Sequence, residues 1–235
     1  MDKKIIIGLV ILILVIIIIV VIFSKDKGHK VIMNKYDLFY DNKQILVGNE
    51  NFKESLYGNK YSLSFWIKTN NIPRNASWDS TTESSKVILF KDGSPNIYFE
   101  FPNTIRIQLA YKDNEGGFDE YNFDFELYES QKWNNFILVV DNRNINVYKN
   151  KLLVMSKVID NVPWISKKMM SIGKSKQNFF GYIGFVDYFN YALSKNKIIK
   201  LYNKRKSKLP KYLMNYKQYL EKDQQDSNMS NLLKT

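Results

Sequence analysis

Between Tyr36 and Ser194 the chain is dominated by short segments whose apolar and polar positions alternate with a period of two. The clearest is Tyr61 to Thr69. Tyr61, Leu63, Phe65 and Ile67 fall on one side of it, and Ser62, Ser64, Trp66 and Lys68 on the other. Ile97–Phe101, Thr104–Leu109, Tyr121–Leu127, Asn135–Val140 and Ile145–Tyr148 behave alike. Turn-forming residues separate them: Lys91-Asp-Gly-Ser-Pro95, Glu115-Gly-Gly117 and Asp141-Asn-Arg-Asn144. Many short strands at such spacing predict an all-β fold, an antiparallel β-sandwich or barrel. Phe136 to Val140 is apolar throughout and reads as a central strand buried on both faces.

The N-terminus has a different pattern. Ile5 to Phe23 is 19 residues without a polar side chain. As a helix it is ~28 Å long, enough to cross a bilayer's hydrocarbon core. It lacks the polar face of a core helix, and no small-residue cleavage site follows it. It reads as one uncleaved transmembrane helix. Lysines flank both ends (Lys3 and Lys4; Lys25, Lys27, Lys30 and Lys35), so the membrane side of the body stays open.

Composition narrows the chemistry. The chain has 235 residues, no cysteine and one histidine, His29. Disulfides, thiol nucleophiles, zinc fingers and histidine-based triads are excluded. The net charge is +12, yet residues 195–235 hold 11 Lys+Arg against 3 Asp+Glu, or +8, which leaves the body close to neutral.

Four segments in order carry a family resemblance: Leu63–Thr69; Gln131–Asp141 with Ile145–Leu153; Ile172-Gly173 leading into Phe180–Ser194; and Lys197–Tyr202. From Leu38 to Asn203 the chain resembles a laminin G-like domain of the concanavalin A-like lectin/glucanase superfamily. The resemblance implies a jelly-roll sandwich. It also implies binding of a glycan, lipid or protein through rim loops, in some members around calcium. Locally, Asn150 suits a left-handed turn position, Gly181 and Gly184 mark close backbone approach, and Ser194 fits a helix N-cap.

Glycoside hydrolases of this superfamily place carboxylates at alternate positions of one strand. Asn122-Phe-Asp124-Phe-Glu126 resembles that strand, but an amide stands where the first carboxylate belongs. The predicted protein is therefore a non-enzymatic binding protein, and a membrane-tethered glycoside hydrolase or lyase is the alternative. Candidate ligand-binding residues are Trp78, in the polar loop Asn70–Ser85, with Asp92, Asn122, Asp124 and Glu126. Asp92, Asn96, Asp113, Asn114 and Glu115 offer loop oxygens of the kind calcium takes, so calcium is the one cofactor considered. Asn75 and Asn228 begin glycosylation sequons.

The expected organisation is a stub and anchor at 1–23, a linker at 24–37 containing His29, the sandwich at 38–203 and a basic helical tail at 204–235. In the tail, Tyr212, Leu213, Tyr216, Tyr219 and Leu220 share a helix face. Packing on the domain or a neighbouring subunit, contact with an anionic membrane, and nucleic-acid binding compete for it, the last least supported. The partners expected are a membrane and a glycan or protein. The Lys-, Asn- and Ile-rich composition suits a virion membrane protein of a large DNA virus.

Overall fold

A computed structural model describes residues 13–14, 28–39, 43–56, 58–69, 85–100, 103–113, 115–127, 132–174 and 181–210. Among the described residues, twelve strands form two antiparallel six-stranded sheets. The first contains, in spatial order, β1 (His29–Phe39), β12 (Gly181–Phe189), β3 (Lys60–Thr69), β8 (Asn134–Asp141), β9 (Asn144–Lys149) and β10 (Leu152–Val158). The second contains β2 (Ile45–Val47), β11 (Met170–Ile172), β4 (Ser85–Phe90), β5 (Asn96–Glu100), β6 (Thr104–Lys112) and β7 (Phe118–Glu126). A 3₁₀ turn, Asn49–Asn51, follows β2, and one helix, α1 (Lys195–Lys206), follows β12.

The alternation becomes a core because every second residue of each sheet meets the other sheet. Leu63, Phe65, Ile67, Phe136 and Leu138 from the first sheet pack on Ile97, Ile105, Ile107 and Leu109 from the second, all fully buried. Phe65 stacks on Phe136 with centroids 5.7 Å apart. The twelve-residue α1 lies over the outside of the first sheet. Ile198 and Leu193 join Ile137, Val139 and Phe189 beneath it. Tyr202 stacks on Trp66 at 5.1 Å. Hence β8 and β12 are buried along nearly their whole length. Asn150 (φ 49°) makes the β9–β10 turn, as its sequence position implied, and Lys151 (φ 67°) shares the strain. A Cβ on Gly184 would lie 2.8 Å from that of Tyr36, which is the close approach expected there.

Three expectations are corrected. Residues 24–37 were read as linker, but from His29 the chain is the edge strand β1, paired with β12 from His29↔Phe189 to Phe39↔Gly181. Irregular register between Val31 and Tyr36 breaks its alternation, so the period of two was not visible. His29 consequently belongs to the sandwich. It stacks on Phe189 at 4.3 Å, and its Nε2 lies 2.9 Å from Asp187 Oδ1. Second, a boundary at 203/204 divides α1, whose last turn holds buried Arg205. Arg205 donates to both carboxylate oxygens of fully buried Asp187, at 3.0 and 2.5 Å, and to Asn34 Oδ1 at 2.7 Å. Third, Ser194 occupies the N-cap position and its carbonyl accepts the Ile198 N–H, but its hydroxyl caps nothing.

No helix among the described residues is long and apolar enough to cross a membrane. Ile5–Phe23 lies outside the described residues except for Ile13 and Leu14, which are helical and exposed. The helix face expected at Tyr212, Leu213, Tyr216, Tyr219 and Leu220 also lies outside them.

Candidate functional site: the open face of the second sheet

Among the described residues no helix lies over the outer side of the second sheet. Ile97, Phe99, Ile105, Ile107, Leu109 and Phe123 point into the core, so the alternate residues of β5, β6 and β7 point out. The register aligns them in rows: Tyr98–Arg106–Asp124, Asn96–Gln108–Asn122 and Glu100–Thr104–Glu126. Hydrogen bonds knit the rows together. Arg106 donates from Nε and Nη2 to the two oxygens of Asp124 at 2.8 and 2.9 Å, and its Nη1 lies 2.6 Å from Glu100. Gln108 accepts from Asn96 Nδ2 at 3.0 Å and from the Tyr98 hydroxyl at 3.4 Å. It donates to Glu120 at 2.6 Å and to Asn122 at 3.4 Å.

This face ends in aromatic rings. Phe118, in the outward parity of β7, is 56% exposed, and its ring lies 5.0 Å from that of Trp164. The Trp164 N–H donates to the carbonyl of Ala110 at 2.7 Å, which seats the indole beyond the end of β5. Lys112 reaches over the Phe118 ring at 5.8 Å. Round the rim Tyr111 donates to Asp119 at 2.7 Å. That bond pushes the phenol up to about 12 and holds the Asp119 carboxyl below its ordinary range.

Of the sequence candidates, Asn122, Asp124 and Glu126 lie together on this face. Asp124 is bound by Arg106, which lowers its carboxyl below the ordinary carboxylate range. A carboxylate fixed in its charged form by two donated bonds can accept hydrogen bonds. It is a poor proton donor, and its lone pairs are already engaged, so it is badly placed as a nucleophile. Asp92 is elsewhere, in the β4–β5 turn, where it pairs with Lys168. Trp78 and Asn75 lie outside the described residues. The calcium donors are not gathered. Asn96 Oδ1 accepts the Lys91 N–H, and Asp113 Oδ1 accepts the N–H groups of Glu115 and Gly117 in its own turn. Asn114 lies outside the described residues, and among those described no group of three or more acidic or histidine side chains could hold a metal.

Arg106, Gln108, Glu100, Phe118 and Trp164 were missed. The alternation of Thr104–Leu109 marked Arg106 and Gln108 as outward. Only the register puts them opposite Asp124 and Asn122, and nothing local marks Trp164 as Phe118's neighbour.

Residues 41–199 match the laminin G type of domain described as concanavalin A-like lectin/glucanases superfamily. The chain belongs to this superfamily. The superfamily match stops short of β1 and of the end of α1, the two flanking pieces that meet at Asp187. Similar solved structures include the receptor-binding domain of botulinum neurotoxin D (TM-score 0.53, 18% identity, covering 77% of this chain and 46% of that one). The serotype G binding domain (0.52, 18%, 78% and 48%) is alike. So is a serotype D ligand-binding domain in complex with N-acetylneuraminic acid (0.52, 17%, 77% and 45%). At such identities the likeness is one of fold, and the chain spans less than half the length of these structures. No curated protein matches it.

Proposed function

We propose that this is a membrane-anchored, non-enzymatic member of the superfamily that binds a glycan on the open face of its second sheet. The observation that carries the reading is the continuity of that face. An aromatic pair, exposed Phe118 and half-buried Trp164, adjoins rows of preordered donors and acceptors on β5–β7. Sugar rings offer C–H surfaces that pack on aromatics, and hydroxyls that match paired donors and acceptors. Glu100, Glu120, Asp124 and Glu126 outnumber Arg106 and Lys112 there, which favours neutral sugars and disfavours sialylated ones. The neighbour solved with N-acetylneuraminic acid supports a glycan partner for the superfamily fold, and the acidity of this face sets its ligand apart. The Asp124–Arg106 bond weighs against the hydrolase alternative. Ile5–Phe23 supplies the anchor in this reading, and the Lys, Asn and Ile bias supports a place in the virion membrane of a large DNA virus.

Binding of the detergent-solubilised full chain to arrays of neutral and sialylated glycans tests this. Neutral glycans are expected to bind, with affinity falling about tenfold or more in Arg106→Ala and Phe118→Ala, since one lost charge-assisted or aromatic contact is worth about 1–3 kcal/mol. Binding unchanged in both variants would move the site away from this face.

A further inference from the structure

We infer that one end of the sandwich, the rim at which the chain enters from its N-terminal side, rests on the bilayer surface and inserts apolar side chains into it. The inference rests on reading Ile5–Phe23 as the anchor. Register and hydrogen bonds bring several turns to this end. Gly28 pairs with Asn190, and Asn190 Nδ2 donates to the carbonyl of Glu54. Asn59 bonds Asn142 of the β8–β9 turn and the carbonyl of Pro163. Pro163 bridges to Tyr111 near the end of β6. Lys168 joins Asp92 of the β4–β5 turn.

Those turns carry large apolar side chains in water. Leu56 is 89% exposed, Val158 64%, Met169 56% and Val162 47%. The opposite end also exposes apolar residues, Leu152, Leu153 and Val154, so the entry of the chain selects this rim, where four such side chains together call for an explanation. Some of the charges around them pair with one another, as Lys60–Asp141, Lys167–Glu54 and Lys168–Asp92. Among the described residues Lys30 and Lys53 have no ionic partner. Both line a cleft of about 160 Å³ with Gly28, His29, Asn51, Tyr188 and one carboxylate, Glu50. Free ammonium groups beside apolar tips suit lipid phosphates, as snorkelling lysines do.

Chain length selects the occupant. Four residues separate Phe23 from Gly28, and the five Cα–Cα steps between them span at most about 18 Å. A rim tied that closely to the hydrocarbon edge lies within reach of the headgroup layer. With this end down, the β5–β7 face stands along the membrane normal and its polar rows remain open to solvent.

The absence of cysteine allows a direct test. The full chain carrying Leu56→Cys, Met169→Cys or, as a control in the β9–β10 turn at the opposite end, Lys151→Cys is labelled with an environment-sensitive fluorophore. It is then reconstituted into phosphatidylcholine vesicles, with and without phosphatidylserine. Spin-labelled lipid is expected to quench the probes at 56 and 169 several-fold more than the probe at 151. Lys53→Glu is expected to reduce quenching at 56. Equal quenching at all three sites, in protein that resists alkaline extraction, would overturn the rim contact and leave the anchor standing. Release of the protein by alkali would overturn the anchor and the rim contact together.

Discussion

The two outer faces of this sandwich begin from similar strands and end in different environments. On the first sheet the outward residues Ser62, Ser64, Trp66 and Asp187 are buried under α1 and its approach segment. On the second sheet the outward residues Asn122, Asp124 and Glu126 remain exposed. Each face carries an arginine bound through its Nε and Nη2 to one aspartate: Arg205–Asp187 under the helix and Arg106–Asp124 in the open. The same chemical pair therefore serves two ends. The buried pair fastens a helix and, with Asn34 and His29, the first strand to β12. The exposed pair keeps a carboxylate charged and oriented on a surface a ligand can reach. A covered face contributes stability and has no room for a ligand, whereas an open face can bind without being essential to folding.

The largest expected effect comes from breaking the covered pair. Removing one partner leaves a charge buried without compensation, so Asp187→Ala or Arg205→Ala should cost about 3–5 kcal/mol in urea denaturation. Replacing both, as Asp187→Leu with Arg205→Met, should restore much of that stability. A single-site cost below about 1 kcal/mol would mean that α1 is held by its apolar contacts alone.

An intermediate effect separates burial from pairing. Lys91 is buried without a carboxylate partner. Its ammonium donates to Asn49 Oδ1 at 3.0 Å and to the Lys168 carbonyl at 2.7 Å, and it lies 4.3 Å from the centre of the Phe52 ring. Burial pushes its pKa down to about 8. Between about pH 8 and about pH 10 the unfolded chain therefore holds more protons than the folded one, and stability should rise with pH by roughly 1 kcal/mol. Buried Tyr61 and Tyr188, whose phenols are raised mainly by burial, act in the opposite sense only above about pH 10. Lys91→Met should abolish the rise, and an unchanged pH profile in that variant would assign it to other groups.

The smallest effect is expected on the open face. Arg106→Ala and Asp124→Asn should each change stability by less than about 1 kcal/mol, because the pair is exposed to solvent. Because the Asp124 carboxyl is depressed in the folded state, what it contributes is present above about pH 4 and is lost as pH falls through the folded value. A destabilisation as large as that of the buried pair, seen in thermal melts of the Arg106 or Asp124 variants, would erase the distinction between the faces.

Much of this was legible in the residues. The period of two gave β3, β6, β8 and β9 close to their observed bounds, and the turn residues Asp92, Asn142 and Asn150 fall where the chain has positive φ. Other features were hidden for physical reasons. Alternation in β3 placed Ser62, Ser64 and Trp66 on a common side, but it could not tell a solvated side from one under a helix. Ser62 is polar because its hydroxyl donates to the Tyr191 carbonyl and accepts the Leu193 N–H, fixing the approach to α1. In β1 the register shifts erased the pattern altogether. Arg205 sat within a run of lysines and looked like one more solvated charge, since local sequence does not encode a buried carboxylate 18 residues away.

By itself the sequence determined the all-β class, strands β3, β6, β8 and β9 with the turns at Asp92, Asn142 and Asn150, the absence of thiol and metal-finger chemistry, and the expectation of an apolar anchor. These follow from short-range periodicity and composition, which any segment carries within itself. Tertiary structure alone decided which side of each sheet is covered, that His29, Asp187 and Arg205 meet, and that Arg106 lies opposite Asp124. Only it seated Trp164 against Phe118. These are contacts between residues far apart in the chain, set by strand register and by where α1 lands on the first sheet, and no local pattern specifies either.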